Sequence, residues 1–467
     1  MRSFEALRHV FRKYDIRGIY PDEINEGFAY RLAIAFGKIL EDMGANTVVV
    51  GGDVRTHTPP IKDSFIRGLM HMGLQVIDIG TVPTPIMYFA SKTLNVHAGV
   101  QITASHNPPE FNGFKIVLGG EPFYGDDIER LYEIFSSPHL SPKYPYPHGK
   151  IAPHDAVHDY VSWVRKNVSI TKSFRVGVDA GNGTAGPVVE AIYPKKGIEY
   201  EGLYMEPDGT FPNHIPDPTV PEYMKDLSAL VVRKGLDLGF GFDGDADRIG
   251  LVDSRGKMVF ADKILALLAR PVLREIPGAP VILDVKCSKG VVEYLERLGA
   301  KVVMWKTGHS LIKAKMKELN APIAGEMSGH IFFKYRFFGH DDAIYASLRF
   351  LEMLSQEERS LEELLAEIPS YISTPEIRVP VSNDEVKFRI VQELVEKFKA
   401  MGLPVIDIDG ARIEFPDGFA LVRASNTQSV LVMRFEAKTP ERLEELKDLI
   451  YSQLRKYPEV RLDEVAH

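Results

Sequence analysis

From about residue 45 to about residue 330, short apolar runs alternate with stretches of helical periodicity. Short apolar runs bounded by turn residues predict buried strands. The order strand, helix, strand, helix, strand occurs three times, and the copies begin at 47–50, 176–179 and 281–284. The third strand of each copy leads into a polar loop, at 103–108, 243–247 and 325–330. Strands that alternate with helices predict parallel sheets whose ligands bind at the carboxyl ends of the strands.

After about residue 375 the pattern changes to a strand, an amphipathic helix over 384–401, three short strands and a helix over 440–455. This order predicts a small α+β domain. The predicted fold class is therefore α/β, with three similar α/β domains of mixed, mostly parallel sheets and a C-terminal α+β domain around a central cleft. The predicted domains are 1–153, 154–256, 257–372 and 373–467.

Composition narrows the class of protein. A chain of 467 residues is too long for one hydrophobic core. Its net charge of −8 argues against general nucleic-acid binding. The single cysteine, Cys287, excludes an internal disulfide and is typical of a reducing compartment, and no apolar run reaches the roughly 18 residues of a membrane helix. We expect a cytoplasmic, soluble protein that binds small molecules rather than nucleic acid or membranes; the sequence leaves its oligomeric state open.

Residues 243–247 read Asp-Gly-Asp-Ala-Asp and lie between two apolar runs. Three carboxylates in five positions repel one another, so the sequence predicts that they bind a cation. A calcium EF-hand requires Gly at its sixth position and Glu at its twelfth, where this chain has Arg248 and Ser254. Hard oxygen ligands on a tight turn favour Mg²⁺ instead. The alternative is a solvated acidic turn.

Four loops together resemble those of the α-D-phosphohexomutase superfamily, in the same order and spacing. They are Thr-Ala-Ser-His-Asn-Pro at 103–108, Asp-Gly-Asp-Ala-Asp-Arg at 243–248, Gly-Glu-Met-Ser-Gly-His at 325–330 and Arg-Ala-Ser-Asn-Thr at 423–427. The resemblance covers nearly the whole chain and is strongest to the bifunctional phosphomannomutase/phosphoglucomutase group. It implies an enzyme that interconverts hexose 1-phosphates and hexose 6-phosphates of mannose, glucose or both.

The resemblance also implies how the reaction proceeds. Ser105 is expected to be a phosphoserine that gives its phosphoryl group to the sugar phosphate and takes one back from a bisphosphorylated intermediate. Glucose 1,6-bisphosphate or a related hexose bisphosphate is then expected to act as activator. The expected ligands of Mg²⁺ are Ser105, through its phosphate, and the carboxylates of Asp243, Asp245 and Asp247. Two alternatives stay open from the residues alone: Ser105 as a helix N-cap, and His106 as the phosphorylated side chain.

Phosphoryl transfer depends on alignment and on neutralised charge, so cations and proton-transfer groups matter as much as the nucleophile. The resemblance places seven residues in the catalytic centre or its phosphate surroundings: Ser105, His106, Arg17, Lys115, Arg248, Lys286 and His309. The sequence does not show which of Lys286 and His309 is the acid and which the base. Taken singly, each Lys or Arg can be a solvated surface charge, and His309 can be a turn residue that caps a helix.

Two further loops are expected to bind the substrate. The resemblance assigns Glu326 and Ser328 to the sugar hydroxyls, and we expect His330 of the same loop to contact phosphate. It assigns a phosphate clamp to Arg423, Ser425, Asn426 and Thr427. Paired guanidinium donors and turn amides suit a phosphate that is held and not transferred. For His330 the alternative is packing against Phe332 and Phe333.

Three other functions remain open at this stage. A phosphoglucosamine mutase has the same scaffold, but that group usually carries Gln where this chain has Met327. A non-catalytic regulator that binds sugar phosphates needs neither the acidic loop nor the Ser-His pair. A metal-dependent phosphatase needs no bisphosphate primer.

Overall fold

The computed structural model describes residues 3–426 and 428–465. The chain divides into two compact units. The first unit contains residues 1–264 and 328–361, and the second contains residues 265–327 and 362–467. The unit boundaries at 264/265 and 361/362 fall within the helices Ala261–Glu275 and Leu361–Ala366. The division into four domains stays a prediction.

The threefold repeat is present, and its strands have the same spatial order each time. In every copy the first strand lies between the third and the second, and both pairings are parallel. The chain therefore reverses its direction of travel across the sheet between the first and third strands. Loops at such a switch point diverge and leave a crevice in which ligands bind. This topology explains why each copy carries its polar residues after those two strands.

The first sheet belongs to the first unit. Its order is Ile16–Ile19, Phe111–Leu118, Ala98–Ile102, Thr47–Gly52, Gln75–Thr81 and Ile151–Pro153, with Glu121–Pro122 beside Phe111–Leu118. The helices of this part are Glu26–Asp42, Thr58–His71, Thr84–Thr93 and Asp126–Ser136, and a short 3₁₀ helix covers Glu5–Val10. Apolar faces of Glu26–Asp42, Thr58–His71 and Asp126–Ser136 pack with the sheet into one buried cluster, whose burial stabilises the sheet.

The second sheet also belongs to the first unit. Its order is Met258–Val259, Ile249–Val252, Leu238–Phe242, Phe174–Asp179 and Ile198–Leu203. The helices here are Ala156–Asn167, Ala185–Ile192 and Lys225–Lys234, with 3₁₀ turns at Pro194–Lys196 and Pro221–Met224. The strand Ile331–Phe333 and the helix Ala343–Ser355 complete the first unit. Every residue of Ala343–Ser355 is buried, which is the pattern of a helix enclosed by its neighbours.

The second unit contains the third repeat and the C-terminal part of the chain. The repeat has the parallel order Lys301–Trp305, Pro280–Asp284, Ile323–Gly325, with helices Lys289–Arg297 and His309–Leu319. The C-terminal sheet has the order Ile372–Ser373, Val430–Ala437, Gly418–Ala424, Ala411–Phe415, Val405–Ile406, with Ile377–Pro380 also beside Val430–Ala437. Its helices are Asp384–Ala400 and Pro440–Leu454, followed by the 3₁₀ turn Leu462–Glu464.

The predicted α+β class of the C-terminal part is confirmed, but the described residues form four strands, and not three, between its two helices. The helix predicted over 384–401 ends one residue earlier, at Ala400, because Gly402 adopts a φ of +74° and stops it. The side chains of Asn383 and Thr439 cap the two helices by accepting a backbone N–H. Among the described residues, no helix has both the length and the apolar character needed to cross a lipid bilayer.

Candidate active site

Ser105 lies in the loop that follows the strand Ala98–Ile102. Its side chain is buried, with 2% of the residue exposed, and its backbone φ is +54°. The Thr103 hydroxyl fixes this turn by accepting the Ser105 N–H at 2.9 Å. The Ser105 hydroxyl donates to Asp243 Oδ2 at 2.8 Å. The strand Phe111–Leu118 follows, without an intervening helix, so the alternative that Ser105 caps a helix is wrong.

Arg55 binds the backbone of the Ser105 loop, and the sequence analysis did not identify this residue. The residue is 1% exposed. Its guanidinium donates to four backbone oxygens of the loop, those of Ser105, Asn107, Pro108 and Phe111, at 2.6–3.2 Å. The guanidinium also pairs with Asp53, whose carboxylate accepts the hydroxyls of Thr58 and Thr103. The Asp-x-Arg spacing at 53–55 indicates a local ion pair, but it does not indicate the contact with the Ser105 loop.

The three aspartates of the acidic loop converge. Each is fully buried, and one carboxylate oxygen of each lies within 4.8 Å of the others. Asp243 Oδ1 accepts the N–H groups of Asp247 and Arg248, both at 3.0 Å, which closes the turn. Burial and the two neighbouring carboxylates raise the pKa of Asp243 well above its usual value. A buried carboxylate with a raised pKa releases its proton when a cation binds beside it, so this cluster favours a metal ion.

Lys115 lies against the same cluster. Its ammonium contacts Asp245 Oδ2 at 2.7 Å and Asp247 Oδ2 at 2.6 Å. Burial works against the charge, but the two carboxylates raise the pKa of Lys115, so it stays protonated. Burial also opposes the ionised form of Asp247, yet Lys115 and the His330 imidazole hold the pKa of that carboxyl well below its usual value.

Asp245 has a second partner that the sequence did not indicate. Thr84, at the start of the helix Thr84–Thr93, donates its hydroxyl to Asp245 Oδ2 at 2.5 Å and its N–H to the Asp245 carbonyl at 3.0 Å. The other oxygen, Asp245 Oδ1, is buried and has no hydrogen-bond partner among the described residues. A buried carboxylate oxygen without a donor is costly unless a ligand satisfies it. The donor set therefore fits a hard divalent cation such as Mg²⁺.

Two further side chains, those of Arg17 and His106, contact residues of the Ser105 loop. Arg17 donates to Asn107 Oδ1 at 2.6 Å and forms an ion pair with Asp15. His106 Nδ1 lies 3.3 Å from the Ser105 hydroxyl. Burial, followed by the positive charges of Arg248, Arg17 and Lys115, lowers the pKa of His106 well below its usual value. The imidazole is therefore neutral, and the positive charge around the serine comes from arginine and lysine.

His330 and Ser328 also reach this group. The His330 ring contacts the Ser328 hydroxyl through Nδ1 at 3.1 Å, and its Nε2 lies 3.5 Å from Asp247 Oδ1. The same nitrogen lies 3.7 Å from Asp341, a buried residue that the sequence analysis did not identify. The ring centroid of His330 is 6.1 Å from that of Phe332. His330 therefore packs against Phe332 and also contacts the acidic loop.

Gly244 sets the distance between the serine loop and the acidic loop. A Cβ at this position would lie 2.4 Å from the Ser105 carbonyl oxygen. Gly183 in turn lies against Gly244, and the Thr184 N–H donates to the Gly244 carbonyl at 2.9 Å. Only glycine permits backbones to approach this closely.

In the second unit, Lys286 follows the strand Pro280–Asp284 and is 7% exposed. Its ammonium forms an ion pair with Glu376 Oε2 at 3.1 Å. Burial opposes its charge, but Glu376 and Asp284 raise the pKa of Lys286. The same ammonium lowers the pKa of Glu376 to about 2. Lys286 is thus a buried, protonated lysine with one carboxylate partner.

Glu326 and His309 belong to neighbouring loops of the same unit. Glu326 is 1% exposed, and its Oε2 accepts the Gly308 N–H at 2.7 Å. His309 is the first residue of the helix His309–Leu319, and Gly308 is its N-cap. His309 therefore does not cap this helix. The contact between Glu326 and Gly308 brings the predicted sugar loop to the base of His309.

The predicted phosphate clamp lies at the end of the strand Gly418–Ala424. Arg423 is 4% exposed and donates through Nε to Asp409 Oδ2 at 3.1 Å. Its Nη2 is buried and has no hydrogen-bond partner in the described part of the chain. Ser425 accepts the Gln428 N–H, and Asn426 follows it in the turn. Thr427 lies outside the described residues.

The predicted site residues thus form two groups, one in each unit. The first unit brings together Ser105, His106, Arg17, Lys115, Arg248, Ser328, His330 and the three aspartates. The second unit contains Lys286, His309, Glu326, Arg423, Ser425 and Asn426. The first group can hold a divalent cation beside a hydroxyl, and the second offers buried cations and a carboxylate.

Comparison with protein families covers most of the chain. Residues 8–140 match the family described as phosphoglucomutase/phosphomannomutase, alpha/beta/alpha domain I. Residues 158–256 and 260–371 match the corresponding domains II and III, and residues 376–453 match the C-terminal domain.

Individual proteins are similar over nearly their whole length. A phosphomannomutase/phosphoglucomutase of Pseudomonas aeruginosa is 44% identical over 446 residues, covering 96% of this chain and 95% of the relative. A phosphoglucomutase of Neisseria gonorrhoeae is 39% identical over 442 residues, covering 94% and 95%. The crystal structure of a phosphoglucomutase/phosphomannomutase family protein from Burkholderia thailandensis is 38% identical, with a TM-score of 0.90 and coverage of 98% of both chains.

Proposed function

Since the chain belongs to the phosphoglucomutase/phosphomannomutase family and is therefore a phosphohexomutase, we propose that it interconverts the 1-phosphates and 6-phosphates of glucose and mannose. The names of its relatives at 39–44% identity support this choice of sugars. Neither a phosphoglucosamine mutase nor a non-catalytic regulator is favoured.

One observation carries the proposal. The Ser105 hydroxyl donates at 2.8 Å to a carboxylate of a fully buried acidic triplet. A serine that was structural alone would gain nothing from three neighbouring carboxylates, whereas a phosphoserine of about −1.5 to −2 charge requires a cation that both can share. Ser105 is the residue that gives its phosphoryl group to the sugar phosphate and takes one back from the bisphosphorylated intermediate.

The carboxylates of Asp243, Asp245 and Asp247, together with a phosphate oxygen on Ser105, hold Mg²⁺. The fit rests on the all-oxygen donor set and on the buried Asp245 Oδ1, to which none of the described residues donates a hydrogen bond. When bound, the ion supplies Lewis-acid stabilisation of charge on the transferring group. Despite burial, the positive charge of Lys115 lowers the pKa of Asp247 and keeps that carboxyl ionised. Burial and the neighbouring carboxylates raise the pKa of Asp243, so a cation bound beside it would displace its proton.

The remaining residues of the first unit align and neutralise the transferring group. Arg17 orients Asn107 in the serine loop, and neutral His106 adds no charge that would compete with the lysine and arginines. Because Ser105 is 2% exposed, little water reaches its oxygen. Exclusion of water favours transfer to a sugar hydroxyl over hydrolysis.

The second unit supplies proton transfer and substrate contacts. We assign the acid and base to Lys286 and His309. Glu326 binds sugar hydroxyls, and the clamp of Arg423, Ser425, Asn426 and Thr427 binds the phosphate that is not transferred. From the first unit, Ser328 binds sugar hydroxyls and His330 contacts phosphate. The buried Arg423 Nη2 supports the clamp, because a guanidinium N–H without an acceptor in the described part of the chain suits an anion.

The four successive family matches support the division into domains 1–153, 154–256, 257–372 and 373–467. The single thiol, Cys287, supports a cytoplasmic location. We further propose glucose 1,6-bisphosphate as the activator, since a mutase that releases its bisphosphate intermediate loses the phosphate of Ser105 and needs it replaced.

The test is a coupled assay of glucose 1-phosphate and mannose 1-phosphate conversion, with and without Mg²⁺ and glucose 1,6-bisphosphate. We expect activity that requires both. Ser105→Ala should abolish it and remove the mass of one phosphoryl group, about 80 Da. Ser136→Ala, at the partly exposed last position of the helix Asp126–Ser136, should change neither. Conversion of glucosamine 1-phosphate alone, release of inorganic phosphate without isomerisation, or full activity of Ser105→Ala would each refute the proposal.

A further inference from the structure

Asp409 is the carboxylate partner of the clamp arginine. Its Oδ2 accepts Arg423 Nε at 3.1 Å. The turn that carries it lies tightly against the clamp strand, because a Cβ on Gly410 would meet the Val422 carbonyl oxygen at 2.4 Å and Arg423 Cα at 2.7 Å. Gly410 has a φ of +83°, which other residues rarely adopt. The backbone therefore fixes where the Asp409 carboxylate meets the guanidinium.

The same oxygen has a second donor from a distant segment. Thr307 donates its backbone N–H to Asp409 Oδ2 at 3.0 Å. Thr307 directly precedes Gly308, the N-cap of the helix that begins at His309. One carboxylate oxygen thus joins the clamp strand to the His309 turn, within the second unit.

From Thr307 the contacts continue to the sugar loop. The Thr307 hydroxyl donates to Asp284 Oδ2 at 3.0 Å, and Asp284 Oδ1 accepts the Met327 N–H at 3.0 Å. In parallel, Glu326 accepts the Gly308 N–H. Asp284 is fully buried, so these hydrogen bonds are shielded from water and are costly to break.

We propose that Asp409 is a positioning residue that holds Arg423 and the Thr307–Gly308 turn in one arrangement, so that the phosphate clamp and the sugar loop are set at a fixed separation. This inference rests on the proposed function, because it assumes that Arg423 binds a sugar phosphate. Arg423 Nε donates to Asp409, while Nη2 has no acceptor among the residues that the structure describes. The carboxylate therefore orients the guanidinium without occupying the donor that faces a ligand.

A competing role predicts the opposite effect. If Asp409 merely neutralised Arg423, its removal would free the guanidinium for phosphate and lower the KM. If Asp409 positions Arg423, its removal lets the guanidinium and the turn drift, and the KM rises. Removal of Asp409 would weaken the binding of the substrate and of the transition state equally. The KM should therefore change more than kcat.

The experiment uses the full-length enzyme and glucose 1-phosphate in the coupled assay. Asp409→Asn should raise the KM by about fivefold or more while kcat changes by less than about threefold. Asp409→Glu keeps the charge but moves the carboxylate by one methylene, and it should raise the KM as well. Asp407→Asn is the matched control, because Asp407 lies two residues from Asp409, is half exposed and pairs with Lys399. The KM of this variant should equal that of the wild type.

A double-mutant cycle separates positioning from a general structural effect. In an Arg423→Lys background, Asp409→Asn should add less than about twofold to the KM, since the group through which it acts is already altered. The inference would be overturned if the effects of the two substitutions on the KM multiplied in the double variant. An unchanged or lower KM in Asp409→Asn alone would also overturn it. The outcome is separate from the proposed function, which is tested on the wild-type enzyme and on Ser105→Ala and does not depend on Asp409.

Discussion

The hydroxyl of Ser105 and the carboxylate of Asp243 form a 2.8 Å hydrogen bond between two loops that are 138 residues apart in the sequence. Both residues are buried, with 2% and 0% exposed. The contact brings the predicted nucleophile to the acidic triplet. A cation held by the triplet would therefore lie next to a phosphoryl group on that serine.

Removal of the Asp243 charge should impair both metal binding and turnover. We expect Asp243→Asn to lower kcat/KM by about 100-fold or more, the usual cost of removing one electrostatic contact in a buried reaction centre. A Mg²⁺ titration of the initial rate should also show a higher half-saturating concentration. The exposed Asp226→Asn serves as control; equal Mg²⁺ curves for Asp243→Asn and the wild type would contradict the assignment.

Lys115 should matter for stability as well as for activity. Its ammonium balances two buried carboxylates, and loss of one partner of a buried ion pair typically costs about 3–5 kcal/mol. Lys115→Met should therefore melt at a lower temperature in EDTA, and Mg²⁺ should raise its melting temperature more than it raises that of the wild type. The measurement is thermal unfolding with and without Mg²⁺; an identical Mg²⁺ effect in both proteins would count against a shared carboxylate site.

Arg55 should act through the loop that it binds. Lysine cannot donate to all four carbonyl oxygens that the guanidinium reaches. We expect Arg55→Lys to lower the free energy of unfolding by about 2–3 kcal/mol, as buried polar groups lose their donors, and to slow phosphorylation of Ser105 by glucose 1,6-bisphosphate. Urea unfolding and intact mass against time measure the two effects. Arg67→Lys, on the exposed face of the helix Thr58–His71, should resemble the wild type.

The ion pair of Lys286 and Glu376 predicts a pH-dependent stability. In the folded protein the pKa of Glu376 falls from 4.5 to about 2, which corresponds to at most about 3 kcal/mol. Because the folded-state pKa is lowered, this contribution is present above about pH 4.5 and is lost as the pH falls toward 2. Unfolding by urea between pH 6 and pH 3 should show a shallower decline for Glu376→Gln than for the wild type.

The control for this experiment is Glu385→Gln, at an exposed position in the first turn of the helix Asp384–Ala400. Its stability should fall with pH as steeply as that of the wild type. A Glu376→Gln curve parallel to the wild-type curve would show that the ion pair does not set the acid limit.

The sequence predicted the elements that have a local signature. The repeats were visible because each strand is a short apolar run, and their topology then places the loops after the first and third strands at a switch point. The residues at 103–108 and 243–248 stood out because hydroxyl, imidazole and carboxylate groups are concentrated there. Local pattern and chemistry coincide at these positions.

The supporting residues had no such signature. Arg55 lies 50 residues before the serine whose carbonyl oxygen it binds, and Thr84 lies 161 residues before Asp245. Asp409 reaches Thr307 from 102 residues away. Each is a single polar residue whose partner is set by the tertiary fold, so neither periodicity nor motif spacing could predict the contact.

The backbone of Ser105 has a further consequence for protein engineering. A φ of +54° is costly for any residue with a Cβ, by roughly 1–2 kcal/mol, and suits glycine. A redesign that selected only for a higher melting temperature would replace this serine with glycine. The product would be more stable but would lack the hydroxyl that carries the phosphoryl group. The chain therefore loses some thermal stability because it carries a serine at this position. Attempts to stabilise the protein should leave Ser105 unchanged.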